Sequence, residues 1–175
     1  MSLRTKIAAG VIALASATLM TFLGTWEGTG QNTVYADQLA GGLPTVCKGI
    51  PRYTSPKPVI VGDYWSDARC AEVETLVVQK GQLQLADCLT NQAIGQNTFD
   101  ALSSHGHNFG VPSTCASRAV GLLNAGRIQD GCKALAWGPD GKTPVWAFIT
   151  DSKGQKLFVR GLHARRLAEA ELCAK

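Results

Sequence analysis

Six cysteines constrain what this chain can fold into more than any other feature: Cys47, Cys70, Cys88, Cys115, Cys132 and Cys173. No two of them form a C-x-x-C pair, which argues against zinc ribbons and thioredoxin-like sites. Their number is even, and the chain opens with an export-like segment. Together these predict three disulfides formed outside the cytoplasm, with the pairing left open by the cysteines themselves. A length of 175 residues gives room for one ordinary domain. Charged residues make up 17% and hydrophobic ones 45%, a balance that excludes a disordered chain. The net charge of +4 includes no basic run longer than two adjacent residues, so the sequence reads as no nucleic-acid binder.

Arg4 and Lys6 precede Ile7 to Gly24, eighteen residues without a charge. As one helix this stretch would be about 27 Å long at about 1.5 Å per residue, barely a bilayer's hydrocarbon thickness. Ten of the eighteen are Ala, Gly, Ser or Thr, so the span is weak. Three readings compete: a cleaved signal peptide, a permanent anchor, or a segment that enters the membrane and later leaves it. Ala15-Ser16-Ala17 offers a small-x-small cleavage site, yet the apolar run continues through Leu19, Met20, Phe22 and Leu23.

Beyond it, Gly28 and Gly30 stop the first helix. Thr33-Val34-Tyr35 and Pro44-Thr45-Val46-Cys47 read as a short antiparallel sheet around a glycine turn. Three prolines mark residues 51–62 as a loop. Ser66 is the N-cap of a long helix over 67–89, with apolar residues from Cys70 to Leu83 at helical spacing. A second helix, capped by Asn97 or Thr98, buries Phe99 and Leu102 and ends at Asn108-Phe109-Gly110. Ser113-Thr114 opens a third, running to Ala125-Gly126, and residues 127–137 form a short one. Residues 144–149 and 156–159 form a β-hairpin around a turn at Asp151-Ser152-Lys153-Gly154, and a helix over 161–173 closes the chain.

Glu27 ends the apolar segment, Asp37 follows with nine residues between them, and Thr45 lies on an apolar run. Paired carboxylates are the minimum equipment for glycoside hydrolysis: one gives a proton to the leaving oxygen, the other handles charge or water at the sugar carbon. Trp26, the preceding apolar residues and the negative end of a helix all favour the protonated form of Glu27, as a general acid requires. With Gly161-Leu162-His163-Ala164-Arg165-Arg166, Glu169 and Cys173, the pattern resembles phage endolysins of the T-even lysozyme type (glycoside hydrolase family twenty-four) from Trp26 onward.

The resemblance implies an α+β, mostly helical lysozyme-like fold: a small antiparallel sheet lobe and a helical lobe joined by a long helix, with a cleft between them and Glu27 at its floor. It implies Glu27 as acid, Asp37 as the ionised carboxylate and Thr45 as holder of the attacking water, with inversion and no cofactor. The interval from Asp37 to Thr45 exceeds the family's usual one, the extra residues falling in a turn from Leu39 to Pro44. Together with helix placement, the resemblance favours the pairs Cys47–Cys70, Cys88–Cys115 and Cys132–Cys173. The substrate implied is the N-acetylmuramic acid–N-acetylglucosamine bond of peptidoglycan glycan strands. Residues 1–24 become a signal-anchor-release segment before a lysozyme domain over 25–175. The segment is tethered in the host inner membrane facing the periplasm until a holin acts, and the released protein is a monomer. Tyr35 and Trp137 are candidates for stacking on sugars, with core packing as the alternative. The rival activities are a lytic transglycosylase, which would dispense with Asp37, and a non-catalytic, disulfide-stabilised wall-binding protein. His105, His107 and Cys115 suggest a metal only weakly, since residues two apart on a helix do not share a face. Arg165 and Arg166 are expected to pair with Glu169 or Glu171 across a helical turn.

Overall fold

A computed structural model describes residues 2–28, 30–151 and 153–175, the side chain of Leu39 apart. Its elements in chain order are α1 (Leu3–Ala8), α2 (Ala17–Trp26), β1 (Gln31–Asp37), a 3-10 turn (Gln38–Ala40), β2 (Leu43–Cys47), β3 (Ile50–Pro51), α3 (Asp67–Cys88), α4 (Gln96–Phe109), α5 (Val111–Cys115), α6 (Arg118–Asn124), α7 (Ile128–Lys133), β4 (Phe148–Thr150), β5 (Lys156–Phe158) and α8 (Arg160–Ala174). The chain forms two compact units, one of residues 20–80 and one of residues up to 19 together with 81–175. Two helices, α2 and α3, pass from one unit into the other.

The unit of residues 20–80 is built on the antiparallel sheet β1-β2-β3. Val34, Val46 and Ile50 bury one side of the sheet in a core with Val59, Trp65 and Val73. The Cys47–Cys70 disulfide ties β2 to α3 inside that core. Ser66 caps α3 as its sequence suggests, its hydroxyl accepting from the Arg69 N–H at 3.2 Å.

In the other unit α4 is central. The sequence marks Phe99 and Leu102 as its buried face, but every residue from Thr98 to Gly106 is buried. A helix buried all round must satisfy its polar side chains inside the protein. Thr98 donates to the Cys173 carbonyl at 3.1 Å, Ser103 to that of Phe99 at 2.7 Å, and Ser104 to Glu169 Oε1 at 2.7 Å. With its hydroxyl so engaged Thr98 does not cap the helix, which starts one residue after Gly95. The helix expected from Ser113 to Asn124 is broken in two: Ser117 takes an extended backbone and caps α6 through the Val120 N–H. The one expected over 127–137 stops at Lys133, and the first hairpin strand is confined to Phe148–Thr150. Asp151 Oδ1 accepts from the Lys153 and Gln155 amides, both at 2.8 Å, as a turn there requires. Ser152, part of that expected turn, lies outside the described residues. The remaining disulfides are Cys88–Cys115 and Cys132–Cys173, so all three pairs are those the family resemblance favours.

Residues 7–24 do not form one helix. Gly10 and Ala15 have φ of +70° and +46°, and the chain between α1 and α2 is irregular. The backbone groups this frees bond to side chains of α3 and α4. Gln96 accepts from the Ala13 N–H at 2.7 Å and donates to the Ala13 carbonyl at 3.1 Å. Gln82 accepts from the Ala15 N–H at 2.7 Å, and Asp100 from the Ser16 hydroxyl at 2.5 Å. Ser16 in turn caps α2 through the Leu19 N–H, while Leu3, Ile12 and Leu19 are buried. Among the described residues no helix is long and apolar enough to cross a membrane.

On α8, Arg165, Arg166 and Glu169 are buried together. Glu169 Oε1 receives Arg166 at 2.9 Å and Arg165 at 3.3 Å, whereas Glu171 pairs with Lys175 on the surface at 3.0 Å. Burial raises the Glu169 pKa, while Arg166, Ser104 and Arg165 pull it down. Removing a carboxylate that buried guanidiniums share leaves uncompensated charge. Glu169→Ala is therefore expected to lower the unfolding free energy by about 3–5 kcal/mol in urea titrations.

Candidate active site

The three residues expected to carry the chemistry all lie in the unit of residues 20–80. Glu27 directly follows α2, its amide donating to the Leu23 carbonyl at 3.0 Å, and is half-buried. Beside it Trp26 packs on Phe22, ring centroids 6.2 Å apart. The negative end of the α2 dipole therefore faces the start of the Glu27 loop.

Register places the other two. Tyr35 pairs with Thr45, and Asp37 with Leu43, in the β1–β2 ladder. Side chains alternate along a strand, so Tyr35, Asp37, Thr45 and Leu43 share one face while Val34 and Val46 take the core face. Asp37 ends β1. Its Oδ1 accepts weakly from the Ala40 amide at 3.4 Å, and its carbonyl receives the Gly42 amide at 2.7 Å. The longer interval after Asp37 thus folds into a 3-10 turn and a glycine pair, and the two strands keep their pairing. Thr45 is 3% exposed, and its hydroxyl donates to the Leu43 carbonyl at 3.0 Å. With its single hydrogen spent there, the oxygen keeps acceptor capacity for a water.

Tyr35, half-buried, neighbours Thr45 on the site face. Trp137 belongs to the other unit, where its ring meets His163 edge-on at 4.8 Å. Two supports for the sheet were not foreseen. A Cβ on Gly30 would come within 2.8 Å of the Cys47 carbonyl carbon, so only glycine permits this approach of the chain to the end of β2. Cys47 itself has φ +55°, a strained conformation for a non-glycine residue, at the disulfide two residues past Thr45. The sequence signal was present in Gly28 and Gly30 but reads there as a helix stop.

His105 is buried, with Nδ1 2.8 Å from the Thr114 hydroxyl. That hydroxyl donates to the Gly110 carbonyl at 3.1 Å, which makes Nδ1 the donor and leaves Nε2 unprotonated. The ring packs edge-on against Trp146 at 4.9 Å, and Cys115 is held in a disulfide. Among the described residues no group of three or more metal-binding side chains is present. Burial, reinforced by Arg166 and Arg165, lowers the His105 pKa to about 3.

Residues 24–169 match the phage lysozyme family, to which the chain belongs. It is 30% identical over 143 residues to the SAR-endolysin of Pseudomonas phage phiKMV, covering 82% of this chain and 78% of that protein. Among solved structures it resembles the endolysin from Escherichia coli O157:H7 phage FAHEc1, with a TM-score of 0.74, 25% identity and 93% of each chain covered. The fold is also that of the muramidase domain of SpmX from Asticaccaulis excentricus, with a TM-score of 0.75, 19% identity and coverage of 94% of this chain and 99% of that one. The fold is therefore lysozyme-like, about half helical with a small antiparallel sheet. Membership of the family supports a glycosidase, with peptidoglycan as the substrate it implies.

A histidine held neutral by burial takes up its proton only on unfolding as the pH drops below its ordinary value. Its contribution to stability is complete above about pH 6.5 and is lost as the pH falls toward about 3. Urea midpoints measured from pH 7 to pH 4 should fall, and less steeply in His105→Gln.

Proposed function

We propose that this protein is an endolysin that hydrolyses the β-1,4 bond between N-acetylmuramic acid and N-acetylglucosamine. The observation that carries the reading is the shared sheet face of Tyr35, Asp37 and Thr45, within the stretch matched to phage lysozymes. Glu27 gives its proton to the glycosidic oxygen as the bond to the anomeric carbon breaks. Asp37, ionised, takes a proton from a water that attacks that carbon, and the Thr45 oxygen orients the water by accepting its other hydrogen. The hydrogen bond from Thr45 to Leu43 supports that role, because it engages the hydroxyl's hydrogen and leaves the oxygen to act as an acceptor. Tyr35, beside Thr45, stacks on a sugar ring of the bound glycan strand.

Glu27→Gln is expected to abolish release of muropeptides from purified walls while leaving the fold intact, because an amide has no proton to give. Asp37→Asn should lower the rate by about 100-fold or more, and Thr45→Ala by less. Full activity in Asp37→Asn, with anhydro-muramic ends among the products, would replace hydrolysis by a transglycosylase reaction.

The N-terminal segment fits a signal-anchor-release mode, the relative from phage phiKMV being named a SAR-endolysin. In the tethered state residues 7–24 span the host inner membrane as one helix with Glu27 on the periplasmic side. Collapse of the membrane potential by a holin lets them leave. In water the segment breaks at Gly10 and Ala15, and Gln82, Gln96 and Asp100 receive the backbone and hydroxyl groups that a continuous helix or a bilayer would not expose. Gly10→Leu with Ala15→Leu opposes both steps, since leucine favours the bilayer at both positions and, at position 10, resists the positive φ that glycine allows. This variant should stay in the membrane fraction and fail to lyse cells. Parent protein found cut after Ala17, or never in the membrane fraction, would point to ordinary secretion.

A further inference from the structure

We propose that the β4–β5 hairpin is a docking surface for an anionic lipid bilayer. Its pairs are Phe148 with Phe158, Ile149 with Leu157 and Thr150 with Lys156, and among the described residues its sheet has two strands only. Alternation puts the phenylalanine pair on one face and the Ile149–Leu157 pair on the other. Both faces meet water: Phe148 is 37% exposed, Phe158 50%, Ile149 51% and Leu157 45%. An isolated two-stranded hairpin is marginal in water, and four large apolar side chains on it make a patch that calls for a partner.

Charge identifies the partner. Lys153, Lys156 and Arg160 flank the apolar residues, while Asp151 has its Oδ1 engaged by the turn's own amides. A basic rim around an apolar ridge matches acyl chains below anionic headgroups. Glycan strands fit less well, because only the Phe148–Phe158 face offers aromatic rings to a sugar, whereas acyl chains take the Ile149–Leu157 face as well. The proposal is independent of the roles given to Glu27, Asp37 and Thr45.

The test is flotation of the purified full chain with vesicles containing phosphatidylglycerol, against vesicles of phosphatidylcholine alone. The parent should float with the anionic vesicles and lose that binding in high salt. Lys153→Gln with Lys156→Gln should weaken binding about thirtyfold, at roughly 1 kcal/mol for each lysine. Ile149→Thr with Leu157→Thr places β-branched residues, which suit strands, at both positions and should weaken it about tenfold. Both variants should hydrolyse purified walls as the parent does, since no membrane is present there. Equal flotation of parent and both variants assigns vesicle binding to another part of the chain and overturns the proposal. So does a loss that appears only in binding to purified walls, which would make the hairpin a glycan-binding surface.

Discussion

The candidate site depends above all on the register between β1 and β2. Tyr35 stands opposite Thr45 and Asp37 opposite Leu43, so the carboxylate and the hydroxyl share a face. A slip of one residue would turn one strand over and send Asp37 and Thr45 to opposite sides of the sheet. Several contacts oppose the slip. The Gly42 amide closes onto the Asp37 carbonyl at one end. At the other, Gly30 lies against the Cys47 backbone, and the disulfide to Cys70 pins that end to α3. Val34 and Val46 would also leave the core if either strand turned.

The N-terminal segment has a form in water that a bilayer would not allow. In a bilayer its weakly apolar residues would have to keep every backbone bond internal, which only a continuous helix can do. In water the same stretch is interrupted, because Gln82, Gln96 and Asp100 satisfy the groups that the break exposes. Asp100 is itself buried, which raises its pKa, while Ser16 and Gln96 lower it by hydrogen bonding.

The unit that contains α4 is organised by polar satisfaction as much as by apolar packing. Ser104, Glu169, Arg165 and Arg166 form one buried network, and His105 with Thr114 forms another. Cys132–Cys173 fastens α8 beside them, adding a covalent restraint to an arrangement whose charges are costly to bury alone.

The sequence by itself determined what is local or periodic. The long helix begins at its Ser66 cap, the sheet lies around the glycine turn, and the order of Glu27, Asp37 and Thr45, joined to the C-terminal Arg165, Arg166, Glu169 and Cys173, carries the resemblance to a family. Even the cysteine pairs were legible through that resemblance. Only the tertiary structure decided what depends on distant partners. It broke the segment of residues 7–24, since the groups that receive its backbone lie some seventy to eighty residues further on. It buried all sides of α4, whose Ser, His and Asp residues find partners on α8, α5 and the N-terminal segment that no local pattern announces. It also put Trp137 against His163 in a different unit from Tyr35. Propensity and spacing act over a few residues, whereas burial and hydrogen-bond satisfaction are settled only when the whole chain has closed on itself.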